Sequence, residues 1–567
     1  MKLKLQLNAI IQDAFSKANI DSTPLSVSEA TKPEFGDYQF NGAMALSKQL
    51  KQNPRAIATQ IVEALDLTGA ISKAEIAGPG FINLWLNPLW LATSAQDARE
   101  DNRLGIKVRQ NPQTVVVDYS GPNMAKQMHV GHLRSTIIGD TLANLLDFLG
   151  DDVIRQNHIG DWGTQFGMLV AYLEEQQSDG EMDLKDLEVF YKNAKKRFDE
   201  DASFADKARE YVVKIQGGDA HCLSLWQKFI DSSLGHCEEI YSKLNVNLSR
   251  EDVKAESFYN DDLAQVIKDL EETKLLEESQ GAKCVFLDGD ENPVIVQKGD
   301  GGYLYATTDL SALRYRAKTL NADRICYVVD ARQAGHFKQV FKVAKNADFV
   351  GESISLEHIG FGTMMDKSGK PFKTRDGGTV KLVDLLDEAV VKAHESIRDK
   401  EDYTAQELAD KAKIIGIGAV KYADLSMSRE ANYIFNWDKM LSLEGNTSVY
   451  MLYAYARIQS IFRKYDGEMT GKIIIGDALE HSLVVKILRF QDILDKASLD
   501  ASPHQITNYL YELVTLVMRF YEQNPILKEG IDISEETKQS RLALADLSAK
   551  TIKQGLDILG IEVVDKL

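Results

Sequence analysis

Val115, Val116 and Val117 form a short, fully apolar run, Gly121-Pro122 turns the chain, and an apolar periodicity from Ile137 through Leu149 stops at Gly150. A run with no polar alternation suits a strand buried on both faces, and a periodicity of this length ending at glycine suits a capped helix. Strand, turn and helix in that order predict the first unit of a parallel sheet, so an α/β domain is expected from about residue 111.

At 567 residues the chain is too long for one ordinary core, and 44% hydrophobic with 27% charged residues argues against wholesale disorder. Residues 1–110 read as a small α+β domain. Leu7, Ile10, Ile11 and Phe15 recur at helical spacing, and Ala74 to Ala77 and Phe81 to Leu86 flank Gly78-Pro79-Gly80 as a hairpin. Residues 111–445 read as the α/β domain, with a charged helical insertion at about 172–276. Strand-like runs return at Cys284 to Leu287, Val294 to Val296 and Ile325 to Val329. Residues 446–567 carry helical periodicity throughout, as in Leu510, Leu513, Leu516 and Val517, which predicts an all-α domain.

The stretch KNAKKRFDEDASFADKAREY reads as a solvated helix face. Cys222, Cys237, Cys284 and Cys326 form no CxxC pair and read as buried thiols, with no zinc site expected. MKLKLQLNAI lacks a long apolar run and a cleavage site, and no charge-free stretch is long enough to span a bilayer; a cytoplasmic protein without membrane association is expected. The formal net charge of -19 counts against a nucleic-acid partner, although net charge reports solubility better than a local patch.

The sharpest chemical signal is His129-Val130-Gly131-His132. With 10 His and 38 Gly, an HxGH string is expected by chance roughly 0.01 times in a chain of this length. At a helix start, exposed N–H groups and positive partial charge favour phosphate. Two imidazoles add donors, and the glycine between them lets a flat ring approach the backbone. The same residues at a helix start also admit a plain surface pair.

This box resembles the signature of class I aminoacyl-tRNA synthetases. The longer string VDYSGPNMAKQMHVGHLRSTIIGD narrows the resemblance to arginyl-tRNA synthetases of bacterial type, as do IGDWGTQFGML, DGGYLYATTDL, YVVDARQAGHFKQVF, GKPFKTRDGGTVKL, FNWDKMLSLEGNTSVYMLYAYARI, FGDYQFNGAMALSKQL and EIAGPGFINLWL. The resemblance implies a Rossmann-type catalytic domain, a first domain that contacts the elbow of the transfer RNA and a last domain that binds the anticodon. It implies ATP with Mg²⁺, L-arginine and tRNA(Arg) as partners, and a monomer. Tyr450, Tyr453 and Tyr509 are candidates for stacking on unpaired bases, or core residues at helical spacing.

By the same likeness, Lys126, His129 and His132 carry catalysis. Lys126, His129, Gly131, His132, Lys370, Lys373 and Arg375 hold ATP, and Asp118, Asn123, Tyr305, Asp309 and Gln333 hold arginine. Carboxylates and amide or phenol acceptors are what a guanidinium with five fixed donors needs. On the residues alone, Asp118 can cap a turn, Asn123 can make an Asx turn, Tyr305 can be a strand aromatic and Asp309 a strand-end carboxylate. The loop Lys370-Pro371-Phe372-Lys373-Thr374-Arg375 departs from the usual KMSK by lacking its second lysine, and the resemblance implies that Lys126 supplies that charge. Gly121 stands where serine is more usual, at the cost of a backbone preference only. A different HxGH nucleotidyltransferase and a catalytically silent RNA-binding paralogue are the rival functions.

Overall fold

A computed structural model of the chain describes residues 2–21, 25–177, 187–370, 372, 380–398, 403–527, 530 and 532–567. They separate into two compact units, one of residues 109–441 with 558–561 and the other of residues 1–108 with 442–557 and 562–567.

The first unit is built on four parallel strands in the order Ser355–His358, Arg324–Tyr327, Thr114–Asp118, Asp152–Gln156. Val115, Val116 and Val117 are fully buried in the second interior strand, as their unbroken apolar run predicts. The helix Val130–Leu149 carries the chain from Thr114–Asp118 to its neighbour Asp152–Gln156 and closes on Gly150. The third strand in chain order, Arg324–Tyr327, then pairs with the opposite edge of Thr114–Asp118. The direction of winding reverses between these two strands, and the crevice beyond the carboxyl ends at such a point is where doubly wound folds bind ligands.

The insertion is helical, with helices Thr164–Gln177, Leu187–Glu200, Ala202–Gln216, Ala220–Lys243 and Asn260–Glu272. Its charged stretch makes local pairs such as Lys195 with Asp199 and Arg209 with Asp206, as a solvated face should. Two of the expected strands form outside the parallel sheet, and one strand reading needs correcting. Ala282–Val285 and Val294–Gln297 do not join the parallel sheet; with Leu276–Ser279 they form a separate antiparallel sheet. The segment holding Tyr305 and Asp309 is the helix Tyr305–Arg314, because Ala306, Leu310 and Leu313 recur at helical spacing and all are buried.

In the second unit the expected hairpin is present, Ile71–Ala77 against Phe81–Leu86, within the antiparallel order Ser28–Glu29, Tyr38–Phe40, Phe81–Leu86, Ile71–Ala77. Helices Ser448–Lys464, Ala478–Leu488, Phe490–Asp500 and His504–Gln523 belong to the same unit. Arg489 ties them to the sheet module by donating to the Tyr38 hydroxyl at 3.1 Å and the Asp37 carbonyl at 3.0 Å. Tyr509 is 2% exposed and donates to the Lys486 carbonyl, so it is core and not a stacking residue; Tyr450 and Tyr453 are half-buried. All four cysteines are free and buried. Among the described residues no helix is long and apolar enough to cross a membrane.

Candidate active site

The strand register sets one row of side chains across the carboxyl edge of the parallel sheet: Gln156 beside Asp118, Asp118 beside Tyr327, Tyr327 beside His358. Arg316 spans part of this row. It lies on a single π-helical turn, Tyr315–Thr319, and is fully buried. Its Nε donates to Gln156 Oε1 at 2.6 Å, its Nη2 donates to Asp118 Oδ2 at 2.8 Å, and its guanidinium carbon stands 4.8 Å from the Tyr327 ring centre.

A cavity of about 770 Å³ opens above that edge. Asp118, His129, Gly131, His132, Tyr305, Asp309 and Gln333 line it, so seven of the residues named from sequence meet at one place. Asn123, Lys126 and Lys370 are not among its lining residues. Asn123 Oδ1 accepts the Ala125 N–H at 2.9 Å, the Asx turn that sequence alone allowed. Lys126 is exposed, with Nζ 4.7 Å from the Tyr191 ring centre. Lys370 donates its backbone N–H to Asp366 at 3.1 Å. Lys373 and Arg375 lie outside the described residues.

Two chemically different groups of side chains line the cavity. In the first, His129 caps the helix Val130–Leu149. Its Nδ1 accepts the Gly131 N–H at 3.0 Å, and the His132 Nδ1 accepts the His129 N–H at 3.1 Å. With both Nδ1 atoms accepting, each neutral ring carries its proton on Nε2 as a donor. Burial pushes both imidazoles below their ordinary range, to about 3 for His132, so both remain neutral at physiological pH. A helix amino terminus with two neutral donors suits phosphate oxygens.

The second group is acidic: Asp118, Glu256 and Asp309. Asp309 Oδ2 sits 2.6 Å from His336 Nε2, and that carboxylate holds His336 above the ordinary imidazole range. Glu256 opens the short turn Glu256–Tyr259, within the insertion between the helices Ala220–Lys243 and Asn260–Glu272. Burial, with Asp161 and Asp309 nearby, pushes its carboxyl up to about 7. A group that resists ionising beside other carboxylates is poised for an incoming cation. His158 lines the same cavity, stacked on Tyr259, with its buried Nδ1 unpartnered. Tyr305 is 75% exposed at the rim.

Sequence reasoning missed Glu256, Arg316, His336 and His158. His336 lies inside the quoted string YVVDARQAGHFKQVF, and His158 immediately precedes IGDWGTQFGML. Glu256 lay in a charged stretch read as insertion, and no local spacing singles it out. Gly121 proves suited to its place: with φ 51 it occupies the left-handed region beside Ser120 at φ 71, and a Cβ would stand 3.3 Å from the His158 carbonyl. Two successive residues of that kind make the tight turn that aims the chain from Asp118 back toward His129.

Comparison with known proteins bears on this arrangement along the whole chain. The family model for the class I (R) tRNA synthetase catalytic domain matches residues 95–437, that for the arginyl-tRNA synthetase N-terminal domain matches 2–86, and that for the DALR anticodon-binding domain matches 451–567. The chain is 54% identical over 581 aligned positions to an arginine–tRNA ligase of Cellvibrio japonicus, covering 100% of both chains. It is 53% identical to one of Laribacter hongkongensis, covering 99% of this chain and 100% of that one. Its fold matches the arginyl-tRNA synthetase of Plasmodium falciparum with a TM-score of 0.86 at 30% identity, covering 100% and 99% of the two chains. It matches that of Thermus thermophilus in fold with a TM-score of 0.82 at 22% identity, covering 100% of both.

Proposed function

We propose, from the premise that the chain belongs to the arginyl-tRNA synthetase family and is an arginine–tRNA ligase, that the acidic group of the cavity holds arginine and the histidine pair holds ATP. The observation that carries this division is that the carboxylates Asp118, Glu256 and Asp309 and the neutral pair His129 and His132 line one cavity.

A buried guanidinium needs carboxylates. In this reading Asp309 and Glu256 receive it, with the Tyr305 hydroxyl closing the rim, while Gln333 and Asp118 orient the α-amino end. Arg316 keeps one oxygen of Asp118 engaged, which fixes the carboxylate's orientation. Asn123, which does not line the cavity and whose oxygen is used in the Asx turn, would have to turn its amide nitrogen toward the same ligand on binding.

The arginine carboxylate oxygen attacks the α-phosphorus of ATP, and the bond to the bridging oxygen breaks to give arginyl-adenylate and pyrophosphate. The Nε2–H groups of His129 and His132 donate to the phosphate oxygens as charge gathers there. The terminal ribose hydroxyl of tRNA(Arg) then attacks the activated carbonyl, and AMP leaves. Among the described residues no group of three His, Cys, Asp or Glu side chains is placed to hold a metal, so Mg²⁺ enters this reading as MgATP, on the substrate's own phosphates. Lys126 serves the phosphates in place of the missing loop lysine, joined by Lys370, Lys373 and Arg375. The sheet module and the terminal helices contact the RNA, and a cytoplasmic monomer is the working form by the family's habit.

Charging of total transfer RNA with each amino acid in turn tests the function. Arginine alone is expected to be incorporated, and equal incorporation of lysine would contradict a site built for a fork-shaped set of donors.

A further inference from the structure

Arg134 lies on the helix Val130–Leu149, at the bottom of the cavity, and is 2% exposed. Its Nε pairs with Asp424, fully buried on the helix Ala405–Leu425, at 3.0 Å. Its Nη1 donates to two carbonyls, Gly362 at 2.7 Å and Ala431 at 3.0 Å. Those carbonyls lie two residues before the paired segments Met364–Met365 and Tyr433–Ile434, and the guanidinium carbon stands 5.3 Å from the Tyr433 ring and 5.8 Å from the Phe361 ring. Residues Phe361 to Met364 are themselves a wall of the cavity. The convergence needs glycine at 362, where a Cβ would sit 2.6 Å from the Ala431 oxygen.

A buried ion pair contributes little net stability relative to apolar residues of the same size, because both charges are desolvated. What this one does provide is geometry. Its planar fork fixes three backbone and side-chain oxygens against the helix that starts at His129, and a lysine with one point charge could not fix all three. We propose that Arg134 is a positioning residue that, with Asp424, sets the distance between the His129–His132 donors and the Phe361–Met364 wall, and so fixes how the nucleotide is held between them. This rests on the reading that the histidine pair holds ATP.

The test uses the full-length enzyme with the double variant Arg134→Met/Asp424→Leu, which leaves no orphan charge, alongside Arg134→Lys and His132→Ala. Thermal midpoint, arginine Kd, and KM for ATP with kcat for aminoacylation are measured for each. Misplacing reacting groups by ~1 Å costs up to about a hundredfold. The double variant is expected to keep arginine Kd within about twofold of wild type while kcat/KM for ATP falls by about ten- to a hundredfold, with Arg134→Lys intermediate. Unchanged ATP parameters in the folded double variant would overturn the proposal. So would a parallel loss of arginine and ATP handling with a lowered midpoint, which marks a merely structural role. If the double variant does not fold, Arg134→Lys decides by the same split. An ATP deficit in His132→Ala without one in the Arg134 variants removes the clamp alone; normal ATP handling in His132→Ala removes the nucleotide assignment beneath it.

Discussion

Replacing Glu256 by Gln separates the electrostatics of the acidic group from its shape. Burial and the neighbouring carboxylates hold the Glu256 carboxyl up at about 7, against an ordinary glutamate value of about 4.3. A guanidinium binds the ionised form. Above pH 7 the carboxylate is ready, and removing one partner of a buried charged pair costs ~2–5 kcal/mol. Arginine Kd in Glu256→Gln at pH 8 is therefore expected to rise by roughly 30-fold to several thousand-fold. Below pH 7 the wild-type site must first expel a proton, so its Kd rises by about tenfold per pH unit until the pKa of the bound state is reached. The variant lacks that proton. His336, held above its ordinary range by Asp309, gains charge in the same window and repels the ligand in both proteins. The diagnostic quantity is thus the difference in slope. Equilibrium dialysis of arginine from pH 5.5 to 8.5 is expected to give a steeper acid limb in wild type than in Glu256→Gln. An undiminished limb in the variant would refute the placing of Glu256 against the guanidinium.

Lys126→Ala is expected to slow adenylate formation by on the order of a hundredfold, since one preorganised charge on a developing phosphate is worth ~3 kcal/mol. Pre-steady-state activation equal to wild type would leave Lys126 as the exposed cation over Tyr191 that it is without ligand. Arg316→Met is expected to lower unfolding stability by ~3–5 kcal/mol, because it leaves Asp118 buried and uncompensated. A denaturation midpoint unchanged at pH 7.5 would show that Asp118 is not dependent on that pair.

The features legible in sequence were those encoded locally. The Val115–Val117 run, the Gly121-Pro122 turn and the helix closing at Gly150 are each written in adjacent residues, and each formed as read. The helix Tyr305–Arg314 was obscured because Tyr305, Thr307 and Thr308 favour a strand, whereas burial of Leu310 and Leu313 decides the outcome. The acidic group was only partly legible for a different reason. Arg316 and Asp118 are 198 residues apart, and Glu256 reaches the cavity because the insertion passes back beside Ile159, whose carbonyl accepts the Glu256 N–H at 3.0 Å. No spacing rule spans such separations. Tyr509 shows the converse, an aromatic of the right type at helical spacing that the fold used for core.

The division of the cavity is tested most directly by steady-state aminoacylation with Asp309→Asn, arginine and ATP being varied separately. Asn keeps the shape and removes the charge that the proposal sets against the guanidinium and that pairs with His336. The KM for arginine is expected to rise by roughly 30-fold to several thousand-fold, the equivalent of ~2–5 kcal/mol, while the KM for ATP stays within about twofold. An unchanged arginine KM, with arginine dissociation shown to be fast, or an equal rise in both constants, would contradict the account.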